Sequence, residues 1–318
     1  MKLAASGNRQ LGSAGRCATI PSNMMGSRKP FRIKLRSRTL ILGERTLIMG
    51  VLNVTPDSFS DGGNFFSQEK AVRHALQMES DGADLIDIGA ESTRPGSAGI
   101  AAEEEWNRLA PVLFALRARL KIPISVDTRK SEIAAKAVES GAEIVNDVSG
   151  LKHDRRIAEV AARLRVPLVL MHMRGEPQTM QQKPFARDVL KDVKNGLRES
   201  LAIARKAGVK NSQIILDPGI GFGKSYAQNY ELLARLPELA KLGFPLLVGT
   251  SRKGFIGATL SQGGPPATLE TKIWGTAATV TASILHGAHI VRVHDVAEMA
   301  RVVRVADCIL NPTLAPKN

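Results

Sequence analysis

From Thr46 onward the chain alternates two hydrophobic rhythms. Short apolar runs end in polar or glycine-rich clusters, and each is followed by a longer segment in which apolar positions recur at helical spacing. The short runs are Leu47–Leu52, Leu85–Ile88, Ile122–Val126, Ile144–Val145, Pro167–Met171, Ile214–Leu216, Pro245–Val248 and Ile290–Val293. Read as strands, each with its helix, they make eight β/α units. A weak internal repeat supports this parse. Gly82-Ala83-Asp84-Leu85-Ile86-Asp87, Gly141-Ala142-Glu143-Ile144-Val145-Asn146 and Gly287-Ala288-His289-Ile290-Val291-Arg292 share one pattern. In each, a glycine ends a helix in the left-handed conformation that only glycine adopts cheaply, and a strand begins after two further residues. The helix before Gly141 reads well over Ser131–Ser140, with Ser131 as N-cap and Ile133, Ala134, Ala137 and Val138 on one face.

Strands alternating with helices imply a parallel sheet, and eight units in about 270 residues match a closed α/β fold, the single-domain (β/α)8 TIM barrel. An open, doubly wound dinucleotide-binding sheet needs G-x-G-x-x-G after its first strand. Here the first strand is followed by Asn53-Val54-Thr55-Pro56-Asp57 instead.

Composition changes this picture only at the N-terminus. The 318 residues carry 44 Lys+Arg against 30 Asp+Glu, a net charge of +14 with a sequence pI near 10.1. Residues 1–45 hold ten of the basic residues and a single acid, Glu44, so +9 sits there and the remaining 273 residues carry +5. That residue is too weak for a nucleic-acid groove. The expected organisation is a basic, flexible extension over 1–38, a barrel over 39–312 and a tail over 313–318. For the basic stretch four readings stay open: a solvated tail, a gene start placed upstream of Met24 or Met25, an organellar transit peptide, or a short first hairpin around Arg32–Arg45. Apolar runs of about half a dozen residues fall far short of the roughly 20 that cross a bilayer. Cys17 and Cys308 form no metal-spaced or paired motif, which points to inert thiols in a reducing compartment, the cytoplasm.

In a (β/α)8 barrel the C-terminal strand ends converge on one face, where active sites lie. The residues at or just past those ends are Asn53, Glu91-Ser92-Thr93-Arg94, Asp127, Asn146-Asp147, His172, Asp217, Ser251-Arg252-Lys253 and Arg292 with His294-Asp295. Asp127, Asn146 and Asp217 could read the N–H-rich edge of a heterocycle by in-plane hydrogen bonds. Lys253, Arg292 and His294 place cations after the last two strands, the usual phosphate corner of this fold. Carboxylates on one side and cations on the other suit a polar ring joined to a phosphate leaving group. The segment Asp217–Ser225 matches the phosphate-binding loop G-x-x-x-x-G-K-[ST] except that Pro218 stands at the first glycine. Proline fixes φ where that loop needs a tight turn, so the better reading is a glycine-rich strand-to-helix loop with Phe222 presented beside the ligand.

With these residues in hand, the sequence resembles the dihydropteroate synthases of the pterin-binding family. The likeness runs from about Thr46 to Ala306. It includes Gly50–Gly63, Glu91-Ser92-Thr93-Arg94-Pro95-Gly96, Val126-Asp127-Thr128, Asn146-Asp147, Met171-His172-Met173, Asp217–Lys224, Ser251-Arg252-Lys253 and Arg292-Val293-His294-Asp295. The resemblance implies a (β/α)8 barrel that condenses 6-hydroxymethyl-7,8-dihydropterin diphosphate with 4-aminobenzoate in folate biosynthesis, releasing diphosphate with Mg²⁺ present. It also implies a homodimer, sensitivity to sulfonamides, and small molecules rather than nucleic acid or membrane as partners.

Carried onto this sequence, the resemblance has Asp127, Asn146, Asp217 and Lys253 hold the pterin, with Met171 packed near it. Asn53 coordinates Mg²⁺, while Thr93, Arg292 and His294 hold the diphosphate. Phe59, Pro95, Phe222 and the helix start at Gly254 flank the aminobenzoate, whose carboxylate would meet free N–H groups there. Asp61, Thr93, Arg94 and Pro95 close over the top. Asp61, Thr93, Arg94, Asp127 and Lys253 form the implied catalytic set, and the implied route is dissociative, with diphosphate leaving before the amine attacks. Two other functions compete. A pterin-fold methyltetrahydrofolate methyltransferase would have no use for the diphosphate cations, and a catalytically silent homologue would have lost site residues. Two departures stand out: Ile220 where some members carry an aromatic residue, and Gly254 where others carry serine.

Overall fold

The computed structural model describes residues 28–55, 63–92, 96–97, 99–182, 184 and 186–316. Eight parallel strands dominate it: β3 (Leu47–Asn53), β4 (Leu85–Gly89), β5 (Ile124–Asp127), β6 (Ile144–Asp147), β7 (Leu168–Met171), β8 (Ile214–Asp217), β9 (Leu247–Val248) and β10 (Ile290–Val293). Their order is β8-β7-β6-β5-β4-β3-β10-β9, and a parallel bridge between Leu216 and Leu246 joins the two ends. The sheet therefore closes into the (β/α)8 barrel. Each of the eight apolar runs is one of these strands, with ends shifted by no more than two residues.

Helices follow the strands around the outside: α1 (Gly63–Ser80), α2 (Ala102–Arg117), α3 (Ser131–Glu139), α4 (Arg156–Leu164), α5 (Val189–Lys206), α6 (Tyr226–Ala234), α7 (Leu236–Ala240), α8 (Gly254–Ser261), α9 (Leu269–Leu285) and α10 (Val296–Leu310). Gly82, Gly141 and Gly287 all sit at positive φ, between 102° and 121°, as the repeat requires. The N-cap of α3 is Lys130 rather than Ser131. Ser131 is the first helical residue, and its backbone N–H is taken by the Asp154 carboxylate at 3.0 Å. A neighbouring loop supplies the cap that a sequence reading assigns to the helix's own serine. Among the described residues no helix is long and apolar enough to cross a membrane.

Before the barrel, β1 (Phe31–Lys34) and β2 (Thr39–Leu42) pair antiparallel. Ile33, Leu35, Leu40 and Leu42 are buried and pack on Leu47, Met49, Leu85, Ile144, Val169, Ile215, Leu247 and Ile290, which fill the lower barrel interior. The boundary expected at residue 38 thus falls inside this hairpin. Its physical basis is strand alternation: Arg32, Lys34 and Arg36 point to solvent while Ile33 and Leu35 point inward. Arg28 ties the segment down through Asp307 (2.8 Å) and the Ala288 carbonyl (2.9 Å).

The hairpin closes the N-terminal end of the barrel with apolar side chains, and the opposite end is polar. In β4, β6, β8 and β10 the inward residues of the lower layer are Leu85, Ile144, Ile215 and Ile290. Two residues further along, the same inward faces carry Asp87, Asn146, Asp217 and Arg292. One strand period converts a dry core into a charged floor.

Candidate active site

A cavity of about 710 Å³ opens at the C-terminal face, above that floor. Its lining includes Asn53 from the end of β3, Asp127 from β5, Asn146 from β6, Met171 from β7, Asp217 from β8, and Phe222, Lys253, Arg292 and His294 from the strands and loops beyond. Nine of the residues to which the resemblance gives a binding role are therefore brought to one site. Gly254 is not on the wall; it is the first residue of α8, directly after Lys253. Phe59, Asp61, Thr93, Arg94 and Pro95 lie outside the described residues.

The floor is an ionic cluster. Arg292 donates from Nε to Asp87 Oδ2 at 2.7 Å and from Nη2 to Asp127 Oδ2 at 2.9 Å. Asn146 Nδ2 donates to the same Asp87 oxygen at 2.8 Å. Arg292, expected among the diphosphate ligands, thus has two of its nitrogens committed to carboxylates at the barrel axis. Burial works against its charge, but Asp87 and Asp127 outweigh burial and raise its pKa. Burial pushes the Asp127 carboxyl up to about 8 although Arg292 pulls it down, and Asp87, Glu105 and Asp147 add their repulsion. Burial likewise raises Asp217 to about 6, against the Gly219 N–H bond (2.7 Å) and the charges of Lys253 and Arg292.

Lys253 is lowered to about 8, by burial first and by Arg292 second. Its ammonium lies over the Phe222 ring, and its stem crosses Gly221, where a Cβ would come within 2.9 Å of the Lys253 side chain. Phe222 packs in turn with Val148, Met171, Met173 and Met180. One apolar wall thus stands against the carboxylate floor, an arrangement suited to a flat heterocycle held by its edges and pressed on a face.

In the glycine-rich loop Asp217–Ser225, Phe222 lines the cavity and Lys224 does not. Lys224 is fully buried, with Nζ donating to the carbonyls of Gly219 (2.8 Å), Phe222 (3.0 Å) and His172 (3.3 Å). Burial lowers it to about 7. It is a strut beneath the loop, pointing away from any ligand. Gly219 permits the close approach, since a Cβ there would lie 1.9 Å from the His172 carbonyl oxygen.

Several polar strand-end residues turn out to be structural. Asp147 accepts from Ser149 N (2.8 Å), Ser149 Oγ (2.7 Å) and Leu151 N (2.6 Å), closing its own turn. His172 is buried below the cavity with Nε2 3.7 Å from Asp192, and burial with the charges of Lys224, Lys152 and Arg174 keeps it neutral. Asp295 pairs with Arg252. Glu91 lines the cavity and is bound by Arg129 (2.8 Å) and Lys130 (3.0 Å), which hold its pKa down against burial. Conversely, the sequence reading passed over Asp87, Met180 and Lys272, the last two on the cavity wall. For Asp87 a signal existed: it is the one acid within the run Leu85-Ile86-Asp87-Ile88, at an inward position.

Residues 49–294 match the model of the family described as pterin binding enzyme. A dihydropteroate synthase from Synechocystis sp. is 49% identical over 267 residues, covering 84% of this chain and 91% of that protein. The structure of the Xanthomonas albilineans dihydropteroate synthase with 4-aminobenzoic acid superposes with a TM-score of 0.82 at 41% identity, covering 91% of this chain and all of that one. The Yersinia pestis dihydropteroate synthase in complex with a sulfonamide drug gives a TM-score of 0.80 at 41% identity over 89% of this chain and 99% of that one.

Proposed function

This chain belongs to the pterin-binding enzyme family, and from that premise we propose that the barrel mouth is its substrate site. It acts as a dihydropteroate synthase, a transferase of the folate pathway that joins 4-aminobenzoate to 6-hydroxymethyl-7,8-dihydropterin diphosphate and releases diphosphate. The observation that carries the site assignment is the convergence of Asp127, Asn146, Asp217, Lys253 and Arg292 on one cavity from separate strands and their loops.

In this reading the carboxylates of Asp127 and Asp217 and the amide of Asn146 bind the ring N–H groups, while Lys253 donates to ring acceptors and Phe222 with Met171 covers the face. Arg292 and His294 hold the diphosphate. The C–O bond at the pterin methylene breaks, and its electron pair leaves with the diphosphate oxygen. Positive charge develops beside Asp127, and that charge favours the ionised carboxyl that burial alone opposes. The aminobenzoate nitrogen then attacks the methylene, forming the C–N bond and losing its proton to water. No strong base is required, because the electrophile is already cationic.

Asn53 suits a role at Mg²⁺. It offers a single hard amide oxygen at the cavity wall, and Mg²⁺ commonly keeps several waters and shares substrate phosphates instead of filling a protein cage. When bound it would supply positive charge to the leaving diphosphate. A homodimer is supported by an exposed apolar face on α6, α8 and α9. Tyr226, Tyr230, Leu260 and Trp274 lie there, with Trp274 75% exposed. Tyr230 ties α6 to α8 through Thr259 (2.7 Å) and an edge-on contact with Phe255. The cytoplasm is supported by the free, half-buried Cys308.

The test is direct. Purified protein supplied with Mg²⁺ forms dihydropteroate and diphosphate only when both the pterin diphosphate and 4-aminobenzoate are present. Absence of dihydropteroate under those conditions would remove the reading.

A further inference from the structure

Asp87 touches no cavity space, yet it is bonded to two residues that do. It is completely buried on β4, and its Oδ2 accepts both Arg292 Nε (2.7 Å) and Asn146 Nδ2 (2.8 Å). We propose that Asp87 is a positioning residue for the pterin site, setting which donors and acceptors Arg292 and Asn146 present to the substrate. The proposal rests on the site assignment above and deepens it.

An ionised aspartate accepts hydrogen bonds and donates none. An asparagine amide, by contrast, can turn either its oxygen or its nitrogen toward a given neighbour. With Asp87 beneath it, Asn146 must turn Nδ2 down, which leaves Oδ1 as an acceptor for the ligand. Arg292 is constrained in the same way. Nε goes to Asp87 and Nη2 to Asp127, so the plane of the guanidinium is defined by two bonds of a rigid fork. Among the described residues Nη1 has no hydrogen bond, and it is the nitrogen left for an anionic ligand.

A purely structural account of Asp87 is less economical. Its other oxygen, Oδ1, is buried without a partner, as is the Oγ of Ser125, its register neighbour on β5. An unpaired buried carboxylate oxygen opposes stability. A barrel built only for stability would place an apolar residue at this inward position, as it does one layer below at Leu85. What Asp87 provides in exchange is a negative, acceptor-only floor under the two groups that must face the substrate with fixed polarity.

The experiment is a double-mutant cycle on the full chain with D87N, R292Q and the double variant, following turnover of the pterin diphosphate. D87N keeps the shape of the side chain but removes the negative charge and the acceptor-only character that fix Arg292 and Asn146. It is expected to lower kcat/KM for the pterin diphosphate about 10- to 100-fold while the KM for 4-aminobenzoate stays near the wild-type value. In the R292Q background the same change is expected to cost much less, because the group it orients is gone. Losses that multiply in the double variant, or a D87N enzyme with wild-type kinetics, would overturn the proposal. Should D87N fail to fold, wild-type protein answers the same question by NMR. The Arg292 Nε–H resonance, assigned by its disappearance in R292K, is expected to exchange slowly with solvent, and fast exchange would overturn the proposal. Wild-type turnover is the internal control: its absence removes the synthase reading, whereas turnover with a multiplicative cycle removes only the role of Asp87.

Discussion

The Lys253 ammonium lies 3.9 Å from the centroid of the Phe222 ring, so a cation expected on the pterin and an aromatic residue expected on the aminobenzoate are direct partners. Burial and Arg292 lower the Lys253 pKa to about 8 while Asp217 and Asp127 support its charge, and the ring face adds a cation–π attraction. The contact predicts that F222L, which preserves apolar bulk, raises the KM for the pterin diphosphate about 2- to 30-fold, the range that a lost cation–π contact implies. An unchanged KM would show that the ring does not support Lys253 in the working enzyme.

Asp217 and Lys253 together predict a bell-shaped pH profile of kcat/KM for the pterin diphosphate. Asp217 and Asp127 must be ionised to accept ring N–H groups, and burial raises them to about 6 and about 8, so activity falls as pH drops through that range. Lys253 must be protonated to donate, and it loses its proton above about 8, so activity falls again on the alkaline side. D217N is expected to remove the lower part of the acid limb, near 6, and K253R the alkaline limb. An alkaline limb that survives in K253R belongs to another group.

The hairpin predicts where the chain can be shortened. A protein beginning at Arg28 keeps the Asp307 pair and the barrel plug and serves as the reference. One beginning at Thr39 loses Arg28, Ile33 and Leu35, each buried or bonded in the fold. Buried aliphatic losses cost about 2–5 kcal/mol each, and thermal melting should show a large drop or no folded protein. Equal melting curves for the two truncations would contradict the plug.

Gly254 predicts a gain. A Cβ added there meets nothing within 4 Å, and its φ lies outside the left-handed region. G254S is therefore expected to fold normally and to lower the KM for 4-aminobenzoate about 2- to 10-fold, the worth of one added hydrogen bond. Sulfonamide inhibition should tighten with it. A raised KM at unchanged melting temperature would put the aminobenzoate carboxylate elsewhere.

Trp274 predicts the assembly. W274E places a charge on the largest exposed aromatic side chain of α9. Light scattering on a sizing column is expected to report a dimer for the wild type and a monomer for the variant. Two dimers would mean that the subunits meet through another surface.

The barrel was readable because its signals are local. Strand runs such as Leu85–Ile88 and helix-ending glycines such as Gly82 and Gly141 depend only on neighbours within a turn or two. A short hairpin around Arg32–Arg45 is one of four readings open for the basic stretch, and only the barrel's lower end decides it by burying Ile33 and Leu35. Strand-end chemistry was legible as a set and not member by member. Asp127 and Asp217 face the cavity, while Asp147, His172 and Asp295, equally polar and equally placed in sequence, serve turns, a buried ring contact and an ion pair.

By itself, then, the sequence determined the eight β/α units, the family resemblance and the pool of residues from which the site is drawn, since all of these follow from period, glycine placement and motif. Tertiary structure alone decided which members of that pool meet. Closure of the sheet brings Arg292 on β10 to within hydrogen-bonding distance of Asp87 on β4 and Asp127 on β5, residues 205 and 165 positions away. No local pattern encodes that meeting: it requires the register of every strand between them, and that register is set by the packing of the whole barrel.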